Sequence, residues 1–323
     1  MRRLIAALAA CWLIVAPTAP AAVAEDYPAR PIRLVVPFPP GGPTDLFGRL
    51  IGLALDQAWG QPVIADNRPG ATGTIGSAVV VKAPPDGYTL LMAATSSHIS
   101  PYLYQNQSYD PDADLEPVIH VLDLPFYLIA NPAFPATTLQ ELVAEIKRRP
   151  GHYSYNSPGA GSAGNLVMEM FKRAAGLDIV HVPYKGSGPG IAALVAGETM
   201  LAFDTVSTTG PHVAAGRLKD FAISGPTRVA AAPTVPTLKE SGYPDFDISI
   251  WFGVFAPKGT PPALVDKLNR EIARIMQTPA MQKRLADLSG SFTAQTPAEF
   301  RRFLVADTER WRQIIVATGA RAE

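Results

Sequence analysis

The chain has 323 residues, and its 28 lysine and arginine residues balance 28 aspartate and glutamate residues, giving a formal charge of zero. This length exceeds one typical domain, so we expect two. Balanced charge without blocks of one sign argues against nucleic acid and anionic membrane surfaces as partners. A single cysteine, Cys11, excludes an intrachain disulfide and a thiolate metal site.

The N-terminus has the three parts of a secretory signal: a basic start at residues 1–3, an apolar run at 4–15 and small residues at 22–24. The apolar run is shorter than the roughly 20 residues of a membrane span. We therefore predict that residues 1–24 are a signal peptide and that the mature protein is periplasmic and soluble, without a lipid anchor. Removal of this segment leaves 26 basic against 28 acidic side chains.

Apolar segments of strand length alternate with amphipathic segments of helix length along most of the chain. The predicted strands cover residues 32–37, 63–65, 88–94, 126–130, 153–156, 179–182 and 200–204. Four helices are predicted. The first ends near residue 59, the second covers residues 75–82, the third runs from a capping box at Thr138 to residue 149, and the fourth covers residues 189–196. This alternation predicts an α/β fold with a parallel sheet.

From about residue 257 onward the pattern becomes helical. Prolines at positions 262, 279 and 297 mark three helix starts, where a first turn tolerates proline. The pattern also breaks at Leu124 and Pro125 and again at Gly225 and Pro226. We therefore expect a discontinuous first domain, residues 25–123 plus 227–323, around an inserted second domain, residues 124–226.

Parallel sheets bind ligands at the carboxyl ends of their strands, so the loops at those ends matter most. In the first, Gly41 and Gly42 precede a helix that starts at Pro43. The first turn of a helix has unpartnered N–H groups and attracts anions. A nucleotide P-loop is excluded because no lysine follows these glycines. An ordinary turn capped by Thr44 or Asp45 is the alternative.

Enzymatic and cofactor signatures are weak. Gly159, Gly161 and Gly164 form a G-x-G-x-x-G pattern, but the next strand leads into Tyr184 and Lys185 instead of the acidic residue of a dinucleotide site. A G-x-S-x-G elbow and histidine pairs with metal-ligand spacing are missing from the sequence. We expect no cofactor, no metal and no catalytic residues.

Several blocks together resemble the periplasmic solute receptors of tripartite tricarboxylate transporters, the Bug family: "PIRLVVPFPPGGPTD", "VIADNRPGATGTIG", "HVPYKGSGPGIAALVAGE" and "WFGVFAPKGTP". The resemblance implies a periplasmic-binding-protein fold, with two α/β domains and a ligand cleft between them. It implies capture of a small carboxylate, either a di- or tricarboxylate or an aromatic acid, and delivery to membrane permease subunits by a monomeric protein. A receptor that feeds a sensor kinase, or an exported hydrolase, is the alternative.

The resemblance also implies a set of ligand-binding residues in five loops. They are Phe38, Gly41, Gly42, Pro43, Thr44 and Asp45; Ser96, Ser97 and His98; Ser157, Gly159, Ser162 and Asn165; Tyr184; and Asp204. Asp45 is expected to orient its loop, since like charges repel. Tyr184 packing between the domains and Asp204 capping a helix are the alternatives. Ser100 stands where the family commonly has Asn and Asn165 where it often has His, which leaves the distal end of the ligand open.

Overall fold

The computed structural model describes residues 27–103 and 109–320, so the predicted signal peptide lies outside the described residues. The strands are β1 (Ile32–Val36), β2 (Val63–Asn67), β3 (Thr89–Ala94), β4 (Leu115–Ala130), β5 (Ser154–Ser157), β6 (Val180–Pro183), β7 (Leu201–Thr205), β8 (Lys219–Ile223) and β9 (Ser249–Pro257). The helices are α1 (Pro43–Trp59), α2 (Thr74–Val81), α3 (Thr95–Ile99), α4 (Pro111–Asp114), α5 (Leu139–Arg148), α6 (Ala163–Ala175), α7 (Ser187–Ala196), α8 (Val206–Ala214), α9 (Pro262–Met276), α10 (Pro279–Asp287) and α11 (Pro297–Thr318).

Local signals set most helix ends. The capping box at Thr138 forms as predicted, because its hydroxyl accepts from the Glu141 N–H while the Glu141 side chain accepts from the Thr138 N–H. Helices α9, α10 and α11 all start with proline in the first turn, which confirms the predicted helical C-terminal region. Helix α1 ends at Gly60, whose φ of 65° is left-handed.

In the described part of the chain the strands form one sheet in the order β2-β1-β3-β9-β4-β7-β5-β6, with β8 also paired to β4. Strand β1 runs parallel to β2 and β3, and β5 runs parallel to β6 and β7. Strands β4 and β9 run antiparallel to every partner. The sequence predicted a parallel sheet, but the sheet is mixed. Strand β9 follows the described segment 224–248, in which no helix is formed, and β4 follows, among the described residues, only the short helices α3 and α4, so neither strand is entered through the long crossover helix of a parallel pair.

The long strand β4 joins two parts of the sheet. Its residues 115–125 pair with β9, and its residues 126–130 pair with β7 and β8. We call the part built on β1, β2, β3 and β9 the first lobe, and the part built on β5 to β8 the second lobe. The sequence predicted only residues 126–130 of β4, and it predicted neither β8 nor β9.

After β8 the chain returns to the first lobe close to Phe126, where β4 changes its pairing partners. The Phe126 N–H donates to Ser224 Oγ over 2.9 Å, and that hydroxyl donates to the Ile248 carbonyl over 2.6 Å. Between these positions Phe246 packs edge to face against Phe171 of α6, with 6.1 Å between the ring centroids. The segment 225–247 thus contacts the second lobe before β9 begins. Of the described residues, no helix is both long enough and apolar enough to cross a membrane.

Candidate functional site

A cavity of about 960 Å³ opens between the lobes, at the ends of β1, β2, β5 and β6. The first lobe lines it with two loops, and the second lobe lines it with the loop after β5, with β6 and the loop that follows it, and with the first turn of α7. The lining residues are Phe38, Pro39, Pro69, Gly70, Ala71, Thr72 and Gly73 from the first lobe, and Pro158, Gly159, Ala160, His181, Pro183, Tyr184, Lys185 and Pro189 from the second.

Asp45 holds in place the loop that follows β1 and runs into α1, residues 38–45, which we call the first loop. Its Oδ2 accepts the Gly41 N–H over 3.1 Å, and its Oδ1 accepts from Arg49 Nε and Asn67 Nδ2, both over 2.9 Å. Asn67 also donates to the Phe38 carbonyl over 2.9 Å. Burial would raise the pKa of Asp45, but the hydrogen bonds from Arg49, Asn67 and Gly41 outweigh burial and lower it. Asp45 is therefore ionised at neutral pH, with Oδ2 bonded to this loop and Oδ1 bonded to Arg49 and Asn67.

Two helix starts meet at the seam between the lobes. Gly42 precedes α1 and Gly186 precedes α7, and no side chain caps either helix. A Cβ at Gly42 would lie 3.7 Å from the Ser187 Cβ, so the first turns of these helices adjoin. Thr44 is buried and does not cap α1, whereas Asp45 accepts the Gly41 N–H, so the capped-turn alternative fails for Thr44 and stays open for Asp45. The partial positive charges of both helices add at this point.

Asp204 lies at the same seam, at the end of β7. Its Oδ1 accepts the Thr205 N–H over 2.7 Å and the Thr208 hydroxyl over 2.8 Å, and the Ser187 hydroxyl also bonds to its carboxyl group. Burial raises the pKa of Asp204 against these hydrogen bonds. The carboxyl group thus connects the starts of α7 and α8 without capping either helix.

The serines of α3 have separate roles. Ser96 Oγ accepts the Ala163 N–H over 3.0 Å, which links α3 of the first lobe to the start of α6 in the second. Ser97 closes its own turn, since its hydroxyl donates to the Ala94 carbonyl over 2.9 Å. Ser100 is buried and lies 2.7 Å from the Thr74 hydroxyl.

His98 faces away from the cavity. Its Nε2 lies 3.0 Å from Asp112 Oδ1, and its ring packs against Trp251 and Phe255 at 5.3 and 5.8 Å. The helical turn that points Ser96 toward the seam points the next side chains to other faces, so His98 enters the aromatic core of the first lobe. We therefore remove His98 from the candidate ligand contacts.

The second-lobe loop is held by Asn165 and Ser162. Asn165 Oδ1 accepts the Gly161 N–H over 2.9 Å, and its Nδ2 donates to the Tyr155 hydroxyl over 2.7 Å. Ser162 Oγ accepts the Asn165 N–H at the start of α6. Gly159 lines the cavity, whereas both polar side chains are buried behind it. Asn165 thus shapes the loop from within.

The sequence did not single out His181, which lines the cavity. Its Nε2 lies 2.7 Å from Ser157 Oγ, and its ring stacks on Tyr155 with 4.7 Å between centroids. Burial lowers the pKa of His181, and the nearby Lys172 lowers it further against the opposing effect of Glu169. A lone histidine within a strand carried no signal of its own, because the stacking partner is 26 residues away in the sequence.

A cross-lobe contact was also missed. The Thr72 hydroxyl donates to the Ala160 carbonyl over 3.1 Å, joining the two lobes across the cavity. Thr72 and its neighbour Ala71 have φ values of 51° and 46°, which are unfavourable for residues with a Cβ. Such strain is retained where surrounding structure fixes it, and here it directs a hydroxyl across the cleft.

Charge in the cavity is sparse. Among the described lining residues Lys185 carries a formal charge, and neither aspartate nor glutamate contributes to the lining. The Tyr184 ring lines the wall while its hydroxyl donates to Glu198 over 3.1 Å. The described residues also hold no cluster of acidic, histidine or cysteine side chains suited to a metal ion.

The predicted site residues thus divide into three groups. Phe38, Gly159 and Tyr184 line the cavity. Buried side chains along the seam or behind the loops include Thr44, Asp45, Ser96, Ser97, Ser157, Ser162, Asn165 and Asp204, with Gly41, Gly42 and Pro43 forming the first loop. His98 alone among the predicted side chains turns to the far side of the first lobe.

Residues 47–320 match the family described as the tripartite tricarboxylate transporter family receptor. The chain belongs to this family. The protein BugT of Bordetella pertussis is 38% identical over 300 residues, covering 92% of this chain and 92% of BugT. This receptor is accordingly a binding protein and not an enzyme.

Solved structures agree with this membership. One described as a periplasmic transporter superposes with a TM-score of 0.89 at 38% identity, covering 91% of this chain and 99% of that one. Rpa4515 of R. palustris with adipate gives 0.89 at 33% identity, covering 92% and 99%. MatC of Rhodopseudomonas palustris with bound malate gives 0.85 at 31% identity, covering 90% and 100%. The receptor has the α/β periplasmic-binding-protein fold with C-terminal helices, as predicted.

Proposed function

We propose that this protein is a periplasmic receptor that captures a small carboxylate between its lobes and delivers it to the permease of a tripartite tricarboxylate-type transporter. The observation that carries the proposal is the polarity of the cleft. The described lining includes a lysine and no carboxylate, and two uncapped helix starts adjoin at its edge. Both features favour an anion.

The similar proteins support the ligand class. Rpa4515 was solved with adipate and MatC with malate, which are both small dicarboxylates. The same class suits a cavity of about 960 Å³, which is large enough for aliphatic and aromatic acids. Di- and tricarboxylates and aromatic acids therefore form the panel to test.

We place one carboxylate at the loop of residues 41–45, on the backbone N–H groups of Gly42, Thr44 and Asp45, because the Gly41 N–H already bonds to Asp45 and Pro43 has no N–H. Charge-assisted hydrogen bonds contribute about 1.5–3 kcal/mol each. A helix N-terminus adds up to about 2 kcal/mol when partly buried. Micromolar affinity needs about −8 kcal/mol, so three or four such contacts suffice without an arginine clamp. Ser96, Ser97 and the loop 157–165 shape the far end of the site.

We propose that the lobes are two domains that close on the ligand. The change of partners within β4 between Pro125 and Phe126 supports a first crossing near residue 123. The contacts of Ser224 and Ile248 beside Phe126 favour a return between residues 226 and 249. Closure would remove the carboxylate from bulk water and strengthen its contacts with the backbone dipoles. The permease would then recognise the closed form.

Isothermal titration calorimetry tests this function. The purified mature protein is titrated with mono-, di- and tricarboxylates, aromatic acids and a neutral sugar of similar size. We expect binding by at least one carboxylate and a smaller radius of gyration by X-ray scattering when it is bound. Tight binding of the sugar together with no detectable binding of any acid would contradict the proposal.

A further inference from the structure

We propose that Lys185 binds a second anionic group of the ligand, so that the receptor selects dicarboxylates over monocarboxylates. This inference rests on the proposed function and makes its ligand class more specific. The residue lies on the loop between β6 and α7, in the wall of the cavity.

The other basic side chains around the cleft loops are already paired. Arg49 bonds to Asp45 over 2.9 Å, and Lys172 bonds to Glu169 over 2.8 Å. The ammonium group of Lys185, by contrast, has neither an ion pair nor a hydrogen bond among the residues that the structure describes. It is therefore the charge that the described cavity wall leaves available to a ligand.

The backbone of Lys185 is fixed on both sides although its side chain is exposed. Before it, the Tyr184 N–H donates to the Ser157 carbonyl over 3.0 Å. After it, a Cβ at Gly186 would lie 2.8 Å from Pro39 Cδ, which places this backbone directly against the first loop. The lysine stem thus starts from a defined point beside the proposed carboxylate anchor and extends a mobile ammonium group over the cavity.

The two anchors differ in chemistry, and this difference gives the selectivity. The loop at residues 41–45 offers neutral backbone dipoles, which suit any carboxylate. Lys185 offers a full charge at the edge of a partly enclosed cavity, where water screens less than in bulk. A second carboxylate gains from this charge, whereas an amide or methyl group in the same place gains little.

A matched pair of ligands distinguishes the contribution of Lys185 to binding from that of the loop at residues 41–45. The ligands are adipate and its monoamide, which have the same length and differ by one charge; if another dicarboxylate from the panel binds more tightly, it and its monoamide replace them. The proteins are the wild type, Lys185→Met, Lys185→Arg and Lys239→Met. Lys239 is exposed and lies outside the cavity lining, so its variant loses the same charge elsewhere.

We expect Lys185→Met to weaken dicarboxylate binding about 10-fold and monoamide binding less than about 2-fold. Lys185→Arg should keep most of the preference, and Lys239→Met should change neither constant. Equal losses for both ligands in Lys185→Met, or an unchanged preference, would overturn this inference while leaving a carboxylate receptor. Absence of binding by any acid to the wild type would instead remove the proposed function itself.

Discussion

Replacing Asp45 by asparagine should loosen the first loop without altering its shape. The amide has the size of the carboxylate and keeps one oxygen. That oxygen can still accept from Arg49 and Asn67, and this arrangement turns the amide nitrogen toward the Gly41 N–H. Two donors then face each other where the wild type has a hydrogen bond of 3.1 Å.

The cost follows from the lost contact. A hydrogen bond to a charged acceptor is worth about 1.5–3 kcal/mol, so we expect the free energy of unfolding to fall by about 2 kcal/mol. The ion pair with Arg49 adds less than about 1 kcal/mol, because the Arg49 side chain is 53% exposed. Since the loop supplies the proposed carboxylate contacts, we expect ligand affinity to fall about 10-fold.

Urea unfolding and calorimetry with the best ligand of the panel measure both effects. Asp66→Asn is the matched control, because Asp66 pairs with Arg33 and Arg68 and makes no hydrogen bond to the first loop. It should lose stability but retain affinity. Wild-type affinity in Asp45→Asn, or an equal loss of affinity in Asp66→Asn, would refute the role of Asp45 as the support of this loop.

Two further predictions concern the cavity wall. Thr72→Val keeps the branched side chain but loses the hydroxyl that donates to the Ala160 carbonyl, so stopped-flow measurements should show ligand dissociation about 5-fold faster. Thr72→Ser keeps the hydroxyl and should dissociate close to the wild-type rate. Unchanged dissociation in Thr72→Val would show that this cross-lobe hydrogen bond does not retain the ligand. The pKa of His181 is lowered on folding from an ordinary value of 6.5, so the stability from its neutral form is complete above that pH and is lost as the pH falls below it. Wild-type stability should therefore drop more steeply than that of His181→Gln between about pH 7.5 and about pH 5 by urea unfolding, and parallel profiles would show that His181 does not carry this dependence.

Local chemistry was readable from the sequence. Helix starts at Pro43 and Thr138 follow from the fixed φ of proline and from the capping box, which depend on a few neighbouring residues. Loops at strand ends were readable for the same reason, and the resemblance of this sequence to one family indicated the binding-protein fold. These features need no knowledge of which strands pair.

Long-range pairing was not readable. Strand β9 is buried along almost its whole length, so its residues lack the alternation that marks a strand. The support of Asp45 by Asn67 joins residues 22 positions apart, and the isolation of Lys185 depends on which other cations find partners in three dimensions. His98 shows the converse, because a residue that the family resemblance placed among the ligand contacts points into the aromatic core.

The position of β9 between β3 and β4 bears on the order in which the protein folds. Strands β1, β2 and β3 come early in the chain, but their link to β4 runs through residues 249–257. The second lobe, in contrast, draws its strands from a contiguous stretch, residues 126–223. During synthesis the second lobe can thus assemble its sheet first, and the first lobe stays open until nearly four fifths of the chain exists.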